Sequence, residues 1–225
     1  MPDLPKTCFS NGDLWLENLA RIPDGWDITI TDFSPGMVDK ARENLQENRG
    51  RFRFAQVDAQ SIPYADGAFD AVIANHMLYH VPDRPKALTE MRRVLVPGGR
   101  LYATPVGRGH LQELYELVQR LDADGELKWW HEDNPFALED GAEQLTPWFS
   151  GIETRRYVDN LVITEVEPLV AYVMSSSARA ALTGDKPAAF RALAERELAA
   201  RGEIRIRKDS GMFLAVRSDS IRLGG

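Results

Sequence analysis

The feature that most restricts the fold is a regular alternation of strand and helix patterns between Asp13 and Val106. Short β-branched or apolar runs that predict strands occupy Asp27–Thr31, Phe52–Val57, Phe69–Ala74 and Arg100–Thr104. Apolar residues at helical spacing precede or separate the strands: from Leu14 to Ile22, from Pro35 to near Gly50, and from Pro82 to Leu95. Alternating units of this kind predict right-handed crossovers and a doubly wound, mostly parallel α/β sheet with helices on both faces. The run Phe69–Ala74 is almost continuously apolar, which is typical of a strand buried on both faces.

Polar residues follow three of these strands directly. Asp32, Asp58 and the pair Asn75-His76 come where the chain leaves the sheet, the edge at which open α/β sheets bind ligands. Asp32 also lies 20 residues after Gly12, the spacing of the acidic residue that binds a ribose in dinucleotide folds. Each aspartate alone is equally well explained as a helix N-cap. Together, on successive strand ends, they favour a nucleoside site.

Composition narrows the class of partner. The formal net charge of −7 argues against nucleic acid as the main partner, because phosphate binding needs a basic surface. The single cysteine, Cys8, excludes an intrachain disulfide and fits a reducing cytoplasm. No run approaches the roughly 20 apolar residues that span a bilayer, and the first six residues lack the apolar core of a signal peptide. We expect a soluble, cytoplasmic protein without a membrane partner.

Four segments together resemble a known family. Ile28–Met37 with Ala41-Arg42, Val57–Ala59 with Ile62–Tyr64, Phe69–Val72 and Val94–Leu101 are similar to successive motifs of class I S-adenosyl-L-methionine (SAM) dependent methyltransferases. The resemblance covers roughly Gly12 to Val106. It is closest to the small-molecule branch that includes ubiquinone and menaquinone methyltransferases, and it implies a Rossmann-like domain with SAM as cofactor and a small organic methyl acceptor.

The resemblance also implies roles for individual residues. Asp32 would bind the ribose hydroxyls, and Phe33 would pack on the adenine ring. Asp58 would accept a hydrogen bond from the adenine amino group, with the backbone N–H of Ala59 on a ring nitrogen. The side chains of Asn75 and His76 would line the methionine end of the cofactor and face the substrate.

The first motif of this family departs from its usual form here. Cys8–Gly12 stands where a Gly-x-Gly-x-Gly loop is expected, and of its glycines only Gly12 remains. The strand before it would be central in the sheet, yet Met1–Thr7 contains Pro2 and Pro5, and proline cannot donate to a central ladder. The sequence therefore predicts a first strand that is short or missing.

Two hypotheses explain that departure. Either the start is shortened or mis-assigned, which we favour because the other motifs are intact, or the chain is a degenerate, non-catalytic relative that binds SAM weakly. Both predict reduced cofactor affinity, and both leave an exposed sheet edge that would favour a homodimer. A nicotinamide dehydrogenase needs an intact glycine fingerprint and is disfavoured.

Three residues after the predicted strand Phe69–Ala74 are candidates for catalysis. Methyl transfer needs alignment of donor and acceptor, and a base only where the acceptor keeps its proton. The ordinary pKa range of histidine suits His80 to that role; Tyr79 is the preceding residue, and His76 lies four residues earlier. Packing at the entrance of the next helix explains His80 as well. The two histidines would share a face only if the segment were helical, and with no third ligand evident we predict no metal site.

We predict a single domain over residues 1–225. Residues 1–106 form its cofactor-binding half, 107–150 a helical and irregular substrate cover, and 151–225 the strands and helices that complete the sheet. Three tryptophans and a histidine of the cover (Trp129, Trp130, His131 and Trp148) are suited either to binding a flat acceptor or to core packing. Further on, Pro187–Arg201 predicts a helix, and Lys208–Gly211 predicts a turn between two strands.

Overall fold

The computed structural model describes residues 12–45, 50–121, 134–176, 179 and 182–218. Contacts divide them into two compact units. The first unit holds residues 12–45, 50–105, 140–154 and 212–218. The second unit holds residues 106–121, 134–139, 155–176, 179 and 182–211.

Helices and strands alternate through the described residues. The helices are α1 (Asp13–Leu16), α2 (Pro35–Asn44), α3 (Arg84–Val94), α4 (Gln112–Gln119), α5 (Gly141–Leu145), α6 (Val166–Ser175) and α7 (Lys186–Arg201). The strands are β1 (Ile28–Asp32), β2 (Phe52–Gln56), β3 (Phe69–Asn75), β4 (Leu95–Thr104), β5 (Phe149–Ile163) and β6 (Ile204–Arg217). Short 3-10 turns occupy Leu19–Arg21 and Leu78–His80.

The strands pair as the alternating pattern predicts. β1 lies parallel to β2, with Asp32 opposite Gln56, and β3 lies parallel to β4, with Asn75 opposite Thr104. β6 is antiparallel to β4 and has β5 on its other side. Within the described residues these pairings make a two-stranded sheet and a four-stranded sheet. The predicted α/β class with parallel strands is therefore confirmed.

In the first unit, α2 packs on β1 and β2 because its start is fixed and its inner face is apolar. The Ser34 N–H donates to the Asp32 carboxylate at 2.8 Å, and Pro35 opens the helix with its backbone dihedral already helical. Val38 and Ala41 are buried on its inner face. The core beneath them is a cluster of buried side chains: Ile22, Ile28, Ile30, Ala41, Leu45 and Phe52.

Helix α3 packs on β4 in the same unit. The Asp83 carboxylate caps its first turn by accepting from the Lys86 N–H, and Pro85 follows at the start. Its inner face is a buried apolar stripe: Ala87, Leu88, Met91 and Val94. The predicted helix at Pro82–Leu95 is confirmed to within two residues at each end.

Two local predictions for the first unit are wrong. The segment Asp13–Ile22 forms only α1 and a 3-10 turn, and Leu14 and Leu16 are 43% and 40% exposed. Strand β3 is not buried on both faces, since only Ala74 is buried and Ile73 is 42% exposed. Among the described residues β3 is paired on one edge alone, so its apolar run lacks a neighbour on the other side.

In the second unit, α4, α6 and α7 pack around one apolar core that includes Leu114, Leu169 and Phe190. Helix α7 ends at Arg201, as predicted, and Gly202 follows it with φ of +78°. Among the described residues, no helix is long and apolar enough to cross a membrane.

The predicted turn at Lys208–Gly211 is wrong, because β6 continues through it. The Asp209 carboxylate, almost fully buried, accepts hydrogen bonds from the Arg156 guanidinium, which also reaches Glu139. The Asp209 backbone N–H donates to His110 Nδ1 at 3.0 Å, and its carbonyl accepts from the Gly107 N–H. These bonds hold a polar stretch in extended form.

Candidate functional site

The end of β1 presents a carboxylate beside an exposed aromatic ring. Oδ1 of Asp32 accepts the Ser34 N–H at 2.8 Å, which orients the carboxylate at the start of α2. The side chain of Phe33 is 72% exposed, whereas phenylalanine is usually buried in folded domains. Its carbonyl accepts from Gln56 Nε2 at 3.0 Å, tying it to the neighbouring strand. Such a pair can accept hydroxyl hydrogens and offer an apolar face to a planar ring.

The second carboxylate, Asp58, lies two residues beyond β2. Its Oδ1 accepts the Gln60 backbone N–H at 2.8 Å and the Gln60 side chain at 3.1 Å. These bonds from Gln60 lower the pKa of Asp58, so the carboxylate is ionised at neutral pH. The Ser61 N–H donates to the Asp58 carbonyl at 2.9 Å, closing a turn over Ala59. The Val57 N–H donates to the Asp32 carbonyl, so the two strand ends are adjacent.

The loop after Asp58 is tied to α3 by a two-residue clamp. Glu90 accepts the Ile62 N–H at 2.8 Å, and Arg93 donates to the carbonyls of Ile62 and Tyr64 at 2.8 Å each. Arg93 also makes two bonds of 2.7 Å to the Glu90 carboxylate, and these lower the pKa of Glu90. The clamp fixes the loop that carries Asp58.

A second group of polar residues lies at the end of β3. The Thr104 hydroxyl on β4 donates to Oδ1 of Asn75 at 2.5 Å and accepts the His76 N–H at 3.0 Å. His76 has φ of +48°, a left-handed conformation that is uncommon outside glycine and is often found at functional sites. Burial lowers the pKa of His76, so its imidazole is neutral at physiological pH.

The catalytic candidates Tyr79 and His80 lie in the 3-10 turn that follows. Their rings contact edge to face, with centroids 4.5 Å apart. His80 is solvent-accessible, and partial burial lowers its pKa. The segment from His76 to His80 is not an α-helix, so the condition for a shared helical face is not met. Within the part of the chain that the structure describes, no group of three or more His, Cys, Asp or Glu residues is arranged to hold a metal.

Gly12 starts α1 and fills a position that only glycine suits. Its φ is +89°, and a Cβ there would lie 3.0 Å from the Leu45 side chain. Its carbonyl accepts the N–H groups of Trp15 and Leu16. The predictions made for Cys8–Asn11 fall outside the described residues.

The predicted substrate cover is represented by one of its tryptophans. Trp148 is buried, and its indole N–H donates to the Thr89 hydroxyl on α3 at 2.9 Å. Of the two interpretations, core packing is therefore the correct one for Trp148. Trp129, Trp130 and His131 lie outside the described residues.

Comparison with known proteins identifies the segment that carries these residues. Residues 11–103 match the family model described as a methyltransferase domain. Over 90 residues the chain is 42% identical to a demethylmenaquinone methyltransferase of Thermus thermophilus, covering 40% of this chain and 40% of that protein. Residues 11–103 are therefore similar to methyltransferase domains. The resemblance to SAM-dependent methyltransferases seen in the sequence motifs is thereby confirmed for this segment, and S-adenosyl-L-methionine is the cofactor that the resemblance implies.

Solved structures extend the likeness of fold over most of the chain. A [4+2]-cyclase, SpnF, aligns with a TM-score of 0.53 and 24% identity, covering 95% of this chain and 73% of its own. A putative methyltransferase from Bacillus halodurans aligns with a TM-score of 0.53 and 14% identity, covering 92% and 88%. The methyltransferase domain thus sits in a Rossmann-like fold. The chain matches about two fifths of the length of the Thermus relative.

The donor set at the end of β1 fits SAM. The cofactor carries a ribose diol and an adenine, which require a hydroxyl acceptor and a flat apolar surface. Asp32 supplies a carboxylate of which one oxygen holds the Ser34 N–H, and Phe33 supplies the exposed ring beside it. The chemistry of the residues therefore agrees with the family.

Sequence reasoning missed the residues that hold this site in place. Thr104 ends the strand next to β3, so the rule that singled out Asn75 and His76 applies equally to it. Glu90 and Arg93 lie three residues apart on α3, and this spacing predicts a surface ion pair. The spacing does not predict their hydrogen bonds to the loop after Asp58, which depend on the tertiary structure.

Proposed function

We propose that this chain is a cytoplasmic SAM-dependent methyltransferase that acts on a small organic acceptor. One observation carries the proposal. The segment that is similar to methyltransferase domains places a carboxylate and an exposed aromatic ring, Asp32 and Phe33, at the carboxyl end of β1. That edge of an open α/β sheet is where ligands bind.

In this proposal the ends of β1, β2 and β3 each hold a different part of the cofactor. Asp32 accepts the ribose hydroxyls, and Phe33 packs on the adenine. Asp58 accepts from the adenine amino group while the Ala59 N–H reaches a ring nitrogen. The neutral imidazole of His76 and the amide of Asn75 line the methionine end.

SAM supplies a methyl group already activated by a positively charged sulfur. The residues of the chain therefore have to align the acceptor and keep water away, rather than create a strong electrophile. An acceptor that retains its proton needs a base within hydrogen-bond reach. His80 and His76 are both suited to accept that proton because burial favours their neutral forms, and Tyr79 packs on His80. We propose these three as the catalytic group.

We infer that the acceptor is a quinone-like ring compound. The support is the 42% identity to a demethylmenaquinone methyltransferase over the cofactor-binding segment. A [4+2]-cyclase shares the fold, so the fold alone does not determine the reaction. Product formation is therefore the deciding observation.

The test has two stages. Titration calorimetry with SAM and with S-adenosylhomocysteine (SAH) should show micromolar binding, on the order of −8 kcal/mol. Incubation with SAM and a demethylated naphthoquinol should then give a product that mass spectrometry finds one methyl group heavier, together with SAH. Absence of binding to both nucleosides contradicts the proposed function. Binding without transfer to the quinol, but with transfer to another ring compound, contradicts only the acceptor class.

A further inference from the structure

The side chain of Gln60 connects the carboxylate of Asp58 to the start of α3. Its Nε2 donates to Oδ1 of Asp58 at 3.1 Å and to Oδ2 at 3.3 Å. Its Oε1 accepts the backbone N–H of Asp83, the residue that caps α3, at 3.0 Å. Both ends of the Gln60 amide are therefore hydrogen-bonded within the first unit.

The bond to Asp83 fixes which end of the Gln60 amide faces Asp58. A backbone N–H can only donate, so it requires the amide oxygen of Gln60 on its side. The amide nitrogen, which only donates, is then turned toward Asp58. Donors in this position favour the charged form of a carboxylate, and the bonds from the Gln60 backbone and side chain lower the pKa of Asp58. The charged carboxylate accepts hydrogen bonds and cannot donate them.

The two oxygens of Asp58 differ in how far their hydrogen-bonding capacity is used. Oδ1 accepts both the Gln60 backbone N–H, at 2.8 Å, and Nε2 of the Gln60 side chain. Among the described residues, Oδ2 accepts only the longer bond of 3.3 Å from Nε2. A carboxylate oxygen has two lone pairs, so Oδ2 can take a further donor. An amino group supplies such a donor, whereas a carbonyl in the same place would meet the negative charge without a proton to share.

We propose that Gln60 is a positioning residue that makes the site selective for a 6-aminopurine over a 6-oxopurine. It acts through Asp58, by keeping this carboxylate a pure acceptor with Oδ2 available to the amino group. Gln60 itself does not touch the purine in this arrangement. The inference rests on the proposed function, in which Asp58 binds the adenine of SAM.

The test compares the affinities of two nucleosides for each variant by titration calorimetry. S-inosylhomocysteine is SAH with a carbonyl in place of the adenine amino group. Because it lacks one hydrogen bond to a charged acceptor, the wild type should bind it about 10- to 150-fold more weakly than SAH. Gln60→Glu keeps an oxygen for the Asp83 N–H but places a second carboxylate against Asp58, so that one of the two takes up a proton. The preference for SAH should then fall about tenfold.

Two further variants separate the lost donor from the added charge. Gln60→Met is of similar length but has neither donor nor charge, and it should lower the preference for SAH about fivefold. Gln112→Glu makes the same change in charge on α4, where the glutamine bonds Glu116 at the surface, and should keep the preference within about twofold of wild type. Partial unfolding would weaken the binding of both nucleosides by the same factor, so the ratio of the two Kd values reports on the site even in a destabilised variant.

The outcomes distinguish this inference from the proposed function. Equal affinity of the wild type for the two nucleosides, or a preference that neither Gln60 variant changes, overturns the role of Gln60 and leaves cofactor binding intact. Binding of neither nucleoside by the wild type overturns the proposed function and this inference with it.

Discussion

Replacing Asp32 with asparagine separates the two jobs that this carboxylate would perform. Asparagine keeps an oxygen that accepts the Ser34 N–H, a bond of 2.8 Å, so the start of α2 should be preserved. The second oxygen and the negative charge are lost. The variant therefore also loses at least one hydrogen bond from a ribose hydroxyl to a charged acceptor.

The size of the expected effect follows from that bond. Hydrogen bonds to charged groups contribute about 1.5–3 kcal/mol. At 1.4 kcal/mol per tenfold, Asp32→Asn should raise the Kd for SAH about 10- to 150-fold. SAH is the better ligand for this test because it carries the same nucleoside without the sulfonium charge.

Titration calorimetry on the wild type, Asp32→Asn and a control checks the prediction. Asp39→Asn is the matched control: it removes one carboxylate of α2 whose side chain is 65% exposed and paired with Arg42. It should leave the Kd within about twofold of the wild-type value. Thermal denaturation should give the same Tm for Asp32→Asn and the wild type. A Kd for Asp32→Asn within about twofold of wild type would refute the assignment of Asp32 to the ribose.

Three further predictions concern the surroundings of the site. Thr104→Val removes the hydroxyl that bonds Asn75 and His76, at a cost of roughly 1–2 kcal/mol, and should lower the Tm by about 2–8 °C. Thr104→Ser keeps a hydroxyl and should keep the wild-type Tm. Equal losses of Tm in both variants would contradict a role for the hydroxyl. Since burial lowers the pKa of His76, unfolding takes up a proton below the ordinary imidazole value of 6.5, and the free energy of unfolding should fall on acidification from about pH 8 to about pH 5. In urea titrations His76→Gln should reduce that slope, and an unchanged slope would contradict the reasoning. Trp148→Phe loses the bond to Thr89 and should destabilise the protein by about 1–3 kcal/mol in the same titrations, while an unaltered midpoint would show that the bond contributes nothing.

The local chemistry of the sequence was sufficient to predict where the candidate cofactor residues lie. Asp32, Asp58 and Asn75 each come at the end of a short β-branched or apolar run. The parallel pairs place Asp32 opposite Gln56, at the strand end that leads to Asp58, and Asn75 opposite Thr104. Ser34 and Pro35 likewise predict the start of α2 from adjacent residues alone. These features depend on a few neighbouring residues, so a pattern of hydrophobicity and capping determines them.

Predictions from the local sequence pattern were wrong where residues distant in sequence determine the conformation. Lys208–Gly211 has the composition of a turn, but the bonds of Asp209 to Arg156, His110 and Gly107 keep it extended within β6. Asp13–Ile22 has helical spacing, yet it forms a single α-helical turn and a 3-10 turn. The exposure of Ile73 likewise depends on which strands pair with β3, and its own sequence does not determine that.

The sequence by itself determined the class of fold, the resemblance of residues 11–103 to methyltransferase domains and the strand ends that carry the proposed cofactor ligands. The tertiary structure decided which groups hold those ligands in place. Thr104 reaches Asn75 across 29 positions, and Arg93 reaches the Ile62 carbonyl across 31. Secondary structure and capping arise from interactions within a few residues. Contacts between residues distant in sequence depend on how whole helices and strands pack, so hydrophobic periodicity and motif spacing do not predict them.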